Sequence, residues 1–121
     1  MARTSFLRAT LFLQTGAVLL QACTAGLLLS SRLAYEVHDA GSKVMYGATL
    51  LYLTAAVLAW RTGGASPRHV RYALGFLVLV SAQVVTGVLH VPGVHVPLGA
   101  VIFGLSLLTL FRENFQSVRH V

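Results

Sequence analysis

The chain has 121 residues, of which 56% are hydrophobic and only 10% are charged, with a mean hydropathy of +0.77 and a formal net charge of +6. Because an average soluble domain carries roughly 25% charged residues, this composition excludes a soluble domain and predicts an integral membrane protein with a single domain, residues 1–121. The basic residues lie between apolar segments, where they set membrane topology, so the lipid bilayer is the expected partner and nucleic acid is excluded.

The first predicted helix runs approximately from residue 9 to residue 31. No Asp, Glu, Lys or Arg occurs from Ala9 to Ser31, and this stretch exceeds the roughly 20 helical residues that cross a bilayer. It contains Cys23, the only cysteine, which excludes an intrachain disulfide. A competing interpretation takes the stretch as a lipoprotein signal cleaved before Cys23. The apolar run continues past that residue through Leu29, which favours the helix.

The second predicted helix runs approximately from residue 37 to residue 60 and follows a polar link. The link from Ser31 to Lys43 contains His38 and four charged residues, Arg32, Glu36, Asp39 and Lys43. Because the uncharged part from Val44 to Trp60 is short for a crossing, we expect the helix to begin near Val37 or His38. His38 is therefore predicted in the first turn.

The second half of the chain contains a long uncharged stretch. From Tyr72 to Phe111 there is no Asp, Glu, Lys or Arg, and this length crosses a bilayer twice. A turn is therefore expected inside the stretch, and Pro92-Gly93 marks its place between His90 and His95. The third and fourth helices are predicted over about 71–90 and about 94–111. Ionisable side chains in such segments are rare and usually functional, so the search for a site begins with these histidines.

Positive charge predicts the orientation of the helices. Seven of the nine Lys and Arg residues lie in the N-terminus, the loop at residues 61–71 and the C-terminal tail, which four crossings place on one side: Arg3, Arg8, Arg61, Arg68, Arg71, Arg112 and Arg119. Arg32 and Lys43 lie on the other side. The imbalance predicts a multi-pass protein of the plasma membrane with both termini cytoplasmic. His38, His90 and His95 then lie towards the outer face, whereas His69 and His120 lie inside and are interpreted as interfacial.

The two halves of the chain share a short pattern. The shared residues are Gln21, Thr24 and His38 in the first half and Gln83, Thr86 and His95 in the second. The pattern predicts an all-α fold, an antiparallel bundle of four transmembrane helices in which two helical hairpins form a pseudo-twofold repeat. Such an axis would set His38 opposite His95 at the same depth.

The residues around the two histidines suit a flat cofactor. In lipid, polar stripes such as those containing Gln21 and Gln83 face inward. Gly41 and Gly99 follow the histidines by about one turn and leave room beside them. Opposed imidazoles above small residues in an apolar bundle suit a porphyrin with bis-histidine ligation. In a plainer interpretation, the glycines allow close helix packing and the Gln and Thr side chains bond helix to helix.

The order Gln, Thr-Gly, Pro and His-x-x-x-Gly in residues 83–99, together with Glu36-x-His38, resembles one four-helix half of the heme A synthase family. The resemblance covers helices 2 to 4 more closely than helix 1, and it implies that His38 and His95 are axial ligands of a heme. Two features of the family are absent. Its Glu-x-x-His-Arg pattern is not matched, because the spacing is one shorter and Asp39 follows His38, and its paired outer-loop cysteines are missing. The resemblance therefore implies the heme-b-binding role of the non-catalytic half, not oxidation of a heme methyl group.

Together, these observations predict a small membrane protein that binds heme b and serves in electron transfer or heme handling; they do not predict an enzyme. The predicted site comprises the axial ligands His38 and His95, their neighbours Gln21, Gln83, His90, Gly41 and Gly99, and Arg32 and Lys43 as charges for the propionates. His90 is alternatively a substitute ligand. With two protein ligands the iron has no open position for oxygen. Two alternatives remain: a cofactor-free accessory subunit of a larger respiratory or transport complex or homo-oligomer, and a copper or zinc site built from the three histidines.

Overall fold

Four α-helices make up the described chain. The computed structural model describes residues 2–28 and 31–118, with the backbone alone for residues 2–4, 32 and 115–118. The helices are α1 Ala2–Leu27, α2 Arg32–Gly63, α3 Arg68–Val88 and α4 Pro92–Val118, and no strand occurs in these residues. Each helix contains a segment long and apolar enough to cross a membrane. The predicted all-α fold with four helices of membrane-spanning length is therefore confirmed.

Helix α2 begins before its predicted start, so most of the predicted polar link is helical. Ser31 has an extended backbone, and its Oγ accepts a hydrogen bond from the N–H of Ala34 at 3.3 Å. A serine in this position satisfies one of the unpaired N–H groups of the first turn. Lys43 Nζ donates to Asp39 Oδ2, one turn away at 2.7 Å, on the exposed surface of α2. His38 consequently lies in the second turn of the helix, not in the first as predicted.

The turn between α3 and α4 contains His90. The N–H of His90 donates to the carbonyl of Gly87, and the N–H of Val91 donates to the carbonyl of Thr86, both at 3.0 Å. This pair of bonds is a Schellman motif, in which the residue after the helix adopts a left-handed conformation. His90 has a φ of 54°, a value that glycine adopts more readily. The third helix was predicted to reach residue 90, but it ends at Val88 because the chain reverses at His90.

The polar tail predicted after residue 111 is part of α4. Its side chains contact two other helices. Arg8 of α1 donates to Oδ1 of Asn114 at 3.0 Å, and Arg68 of α3 donates to Oε1 of Glu113 at 3.0 Å. These contacts hold the polar end of α4 against the bundle, which the sequence pattern alone does not reveal.

The helices pack in a closed square. Helix α1 contacts α2 and α4, and α3 contacts the same two helices, whereas neither diagonal pair approaches closely over the described residues. Small buried side chains on α2 allow its neighbours to come close: Ala48, Ala55, Ala56 and Ala59. The interior also holds fully buried polar side chains, among them Gln14, Thr49 and Ser106. The polar stripe on α1 therefore faces inward, as the sequence predicted.

Candidate functional site

The imidazole rings of His38 and His95 meet in the interior at one end of the bundle, here called the histidine end. Their centroids lie 6.2 Å apart, and the ring planes are inclined at 71°. Because α2 and α4 are a diagonal pair, the two rings reach each other across the centre of the square. Both residues are half-buried. The structure thus brings together the two histidines that the sequence singled out.

Two residues of α1 hold His38. Thr24 Oγ1 lies 2.9 Å from Nδ1 of His38 and donates to the backbone oxygen of Gln21 at 3.0 Å. A hydroxyl has one hydrogen, so Thr24 satisfies both neighbours when it accepts from Nδ1–H of His38. In that tautomer the lone pair of His38 is on Nε2. Thr24 and Gln21 are themselves buried, which fixes the orientation of the ring.

Three contacts from α3 hold His95. Its Nδ1 lies 2.9 Å from the backbone oxygen of Gln83 and 3.4 Å from Oγ1 of Thr86. Because a carbonyl oxygen only accepts, Nδ1 carries the hydrogen and Nε2 is the basic nitrogen. The side-chain amide Nε2 of Gln83 donates to this nitrogen at 3.2 Å. The amide oxygen of Gln83 is left buried without a hydrogen-bond partner.

Each glycine that was predicted to make room for a cofactor lies against a glutamine of the preceding helix. A Cβ on Gly41 would overlap Oε1 of Gln21, and a Cβ on Gly99 would lie 3.0 Å from Nε2 of Gln83. In this structure the space beside both glycines, which was predicted to receive a cofactor, is filled by two amide groups. Both belong to flexible side chains, so a cofactor beside the histidines requires the amides to move.

A third glycine, Gly87, was not predicted as a site residue. A Cβ on Gly87 would lie 2.9 Å from Cε1 and 3.1 Å from Nδ1 of His95. Only glycine at this position lets the ring rest against the backbone of α3. The sequence signal was the Thr86-Gly87 pair one turn after Gln83, which was used for the family resemblance but not for the site.

The remaining predicted residues lie apart from the pair. His90 is exposed in the α3–α4 turn and has no ring contact with either histidine in the described part of the chain. Lys43 is exposed and paired with Asp39. The side chain of Arg32 lies outside the described residues, and so does His120.

The pair suits a heme iron better than a copper or zinc ion. Among the described residues, no three His, Cys, Asp or Glu side chains are placed to hold a metal ion, so the three-histidine site is not formed. A bond from a metal to an imidazole nitrogen measures about 2 Å, and the ring centre lies about 1 Å behind that nitrogen. Two rings on opposite sides of one iron therefore have centroids roughly 6 Å apart. The observed centroid separation of 6.2 Å agrees with this distance, and ligation further requires the two Nε2 atoms to face each other.

No protein-family model matches the chain, and comparison with curated proteins and with solved structures finds no similar protein.

Proposed function

We propose that the protein binds one heme b at the histidine end, with His38 and His95 as the two axial ligands. The observation that carries this proposal is the ring pair itself: two imidazoles from diagonal helices, 6.2 Å apart, in the interior of a bundle of membrane-length helices. Ionisable side chains are rare within membrane segments, and those that occur there usually have a function.

The surroundings prepare both rings for ligation through Nε2. Thr24 and the backbone carbonyl of Gln83 occupy the Nδ1 positions, so each ring presents its other nitrogen. Partners of this kind orient a ligating histidine and raise its basicity. Gln83 must release Nε2 of His95 before that nitrogen can bind iron. Gln21 and Gln83 would then line the sides of the cofactor.

A heme bound in this way supplies one-electron oxidation and reduction. The two histidines fill both axial positions and leave none for oxygen, so electron transfer or heme handling follows rather than oxygenation. Arg32, at the start of the second helix, offers positive charge for the propionates. Lys43 would have to leave its partner Asp39 to do the same.

The proposal includes an antiparallel bundle with a pseudo-twofold repeat, both termini in the cytoplasm and the histidine end at the outer face of the plasma membrane. The equivalent contacts at the two histidines support the repeat: a threonine beside each ring and a glutamine against each glycine. The charge imbalance of the loops supports the orientation. The likeness to the non-catalytic half of the heme A synthase family supports the same choice of ligands.

The second candidate is a protein without cofactor that serves as an accessory subunit of a larger membrane complex or assembles into a homo-oligomer. Two observations favour it. The Gln83 amide already occupies the basic nitrogen of His95, and Gln21 and Gln83 fill the space beside the glycines. In addition, the apolar segments of α3 and α4 are only 17% and 11% buried, against 44% and 39% for α1 and α2, so they are open to a partner as well as to lipid.

Heme titration of the purified protein separates these candidates. We expect the absorbance spectrum of six-coordinate low-spin heme, because two imidazoles fill both axial positions. His38→Ala and His95→Ala should each abolish it, since one axial ligand remains. His90→Ala is the matched control and should keep the low-spin spectrum. Protein that stays colourless favours the accessory subunit, and low-spin spectra in both ligand variants would remove the proposed site.

A further inference from the structure

A second polar group of side chains, here called the carboxylate cluster, lies near the other ends of α3 and α4. It consists of Arg68, His69 and Glu113. Arg68 Nη2 donates to Oε1 of Glu113 at 3.0 Å, and Nε2 of His69 lies 3.5 Å from Oε2 of the same carboxylate. At about 1.5 Å per helical residue, Glu113 is about 27 Å along α4 from His95. The cluster is therefore separate from the histidine end.

His69 is buried within this cluster. Its side chain is 7% exposed, so His69 faces the interior of the bundle near the start of α3. The carboxylate of Glu113 also accepts from Arg68 and is itself largely buried, at 15% exposure. A carboxylate only accepts, so its position 3.5 Å from Nε2 favours the neutral tautomer with the hydrogen on Nε2 and the lone pair on Nδ1. This nitrogen is buried and has no hydrogen-bond partner.

A third helix contributes a phenol to the same region. Tyr52 of α2 is fully buried, its hydroxyl has no hydrogen-bond partner, and it is close enough to Glu113 and Arg68 to interact electrostatically with both. Buried polar atoms are normally paired, and groups left unpaired in the interior call for an explanation. An unpaired basic nitrogen next to a carboxylate has the two features of a proton acceptor: a free lone pair and an anion that stabilises the imidazolium.

We propose that the carboxylate cluster binds one proton within the bundle, with His69 as the acceptor and Glu113 as its counter-ion. On uptake the proton forms a bond to Nδ1, while Nε2–H keeps its position towards Glu113. The ion pair with Arg68 keeps the carboxylate ionised, so the charge of the cluster rises from zero to plus one. The proposal is independent of heme binding, because it concerns other residues at another place in the bundle.

The groups that face the cluster come from every helix. Tyr52 faces it from α2, and Tyr72 of α3 lies close enough to Tyr52 to interact with it. Arg8 of α1 donates to Asn114, the neighbour of Glu113 on α4. The side chains of Arg61, Arg71 and Arg112 are exposed. Glu113 is therefore the anion in contact with His69, and its removal is the sharpest test.

The test is a titration of the full chain in lipid nanodiscs, labelled with nitrogen-15 at histidine. The His69 signals are assigned by their loss in His69→Gln. As the pH is lowered from about 9 to about 4, we expect them to change from those of a neutral ring with hydrogen on Nε2 to those of an imidazolium. Glu113→Gln should weaken proton binding at His69 by at least about tenfold, because the counter-charge is lost. The control, Glu36→Gln, removes an exposed carboxylate of α2 and should change proton binding at His69 by less than about twofold.

Two results would overturn the proposal. His69 signals that stay those of a neutral ring across the whole range would show that the cluster only joins α3 to α4. An unchanged titration in Glu113→Gln would show that the carboxylate is not the counter-ion. The wild-type titration does not depend on Glu113→Gln, so the first result is decisive even if that variant fails to fold.

Discussion

Replacing Gly87 by alanine tests the packing of His95 against α3. The added Cβ would lie 2.9 Å from Cε1 of the ring, whereas carbon atoms pack best at about 3.5–4.0 Å. The ring must therefore move by roughly 0.6–1 Å. A shift of this size breaks the 2.9 Å bond from Nδ1 to the carbonyl of Gln83, and a buried polar group left unpaired costs about 1–3 kcal/mol.

The matched control is Gly75→Ala on the same helix. A Cβ at Gly75 meets nothing within 4 Å, so this substitution gains helix propensity, up to about 1 kcal/mol, without a contact with His95. The difference between the two variants isolates the contact with His95. We expect the free energy of unfolding of Gly87→Ala to be about 1–3 kcal/mol lower than that of Gly75→Ala. Unfolding by sodium dodecyl sulfate in mixed micelles, followed by circular dichroism, measures it. Equal stabilities would refute the close packing of the ring on α3.

Two further predictions concern the turn between α3 and α4 and the side of the membrane on which it lies. His90→Gly should be more stable than His90→Ala by about 1 kcal/mol in the same unfolding assay, because glycine adopts a positive φ without the strain that alanine has there; an equal or lower stability would contradict the left-handed turn. In a Cys23→Ser background, Gly93→Cys should react with a membrane-impermeant maleimide only from outside the cell, since the charge imbalance places both termini in the cytoplasm. Labelling only from the cytoplasm would reverse the orientation.

The fold could be predicted from the sequence because the uncharged stretches at residues 9–31 and 72–111 are long enough for three crossings. The shorter stretch at residues 44–60 reaches the length of a fourth once the residues before it are included. The helix ends could not be predicted. Ser31 caps α2 and so lets the helix begin earlier than predicted. Arg8 and Arg68 bind Asn114 and Glu113 near the C-terminal end of α4. These are contacts between specific side chains, and hydropathy does not record them.

The candidate site was predictable in part for a related reason. His38 and His95 were found because histidine is rare in apolar segments and because the pattern around them occurs twice. His90 was included because it is close to His95 in the sequence. It lies in the turn, however, and its side chain is exposed instead of entering the bundle with that of His95. His69 was dismissed because its partner Glu113 lay in a segment interpreted as a tail, so its carboxylate contact was invisible from sequence spacing.

Electron paramagnetic resonance of the ferric heme-loaded protein tests the central claim most directly. Two imidazole ligands fill both axial positions of the iron, so we expect a low-spin ferric signal. The control is His90→Ala, which should give the same signal as the wild type. A high-spin signal in the wild type, or a low-spin signal that survives in both His38→Ala and His95→Ala, would contradict ligation by this pair.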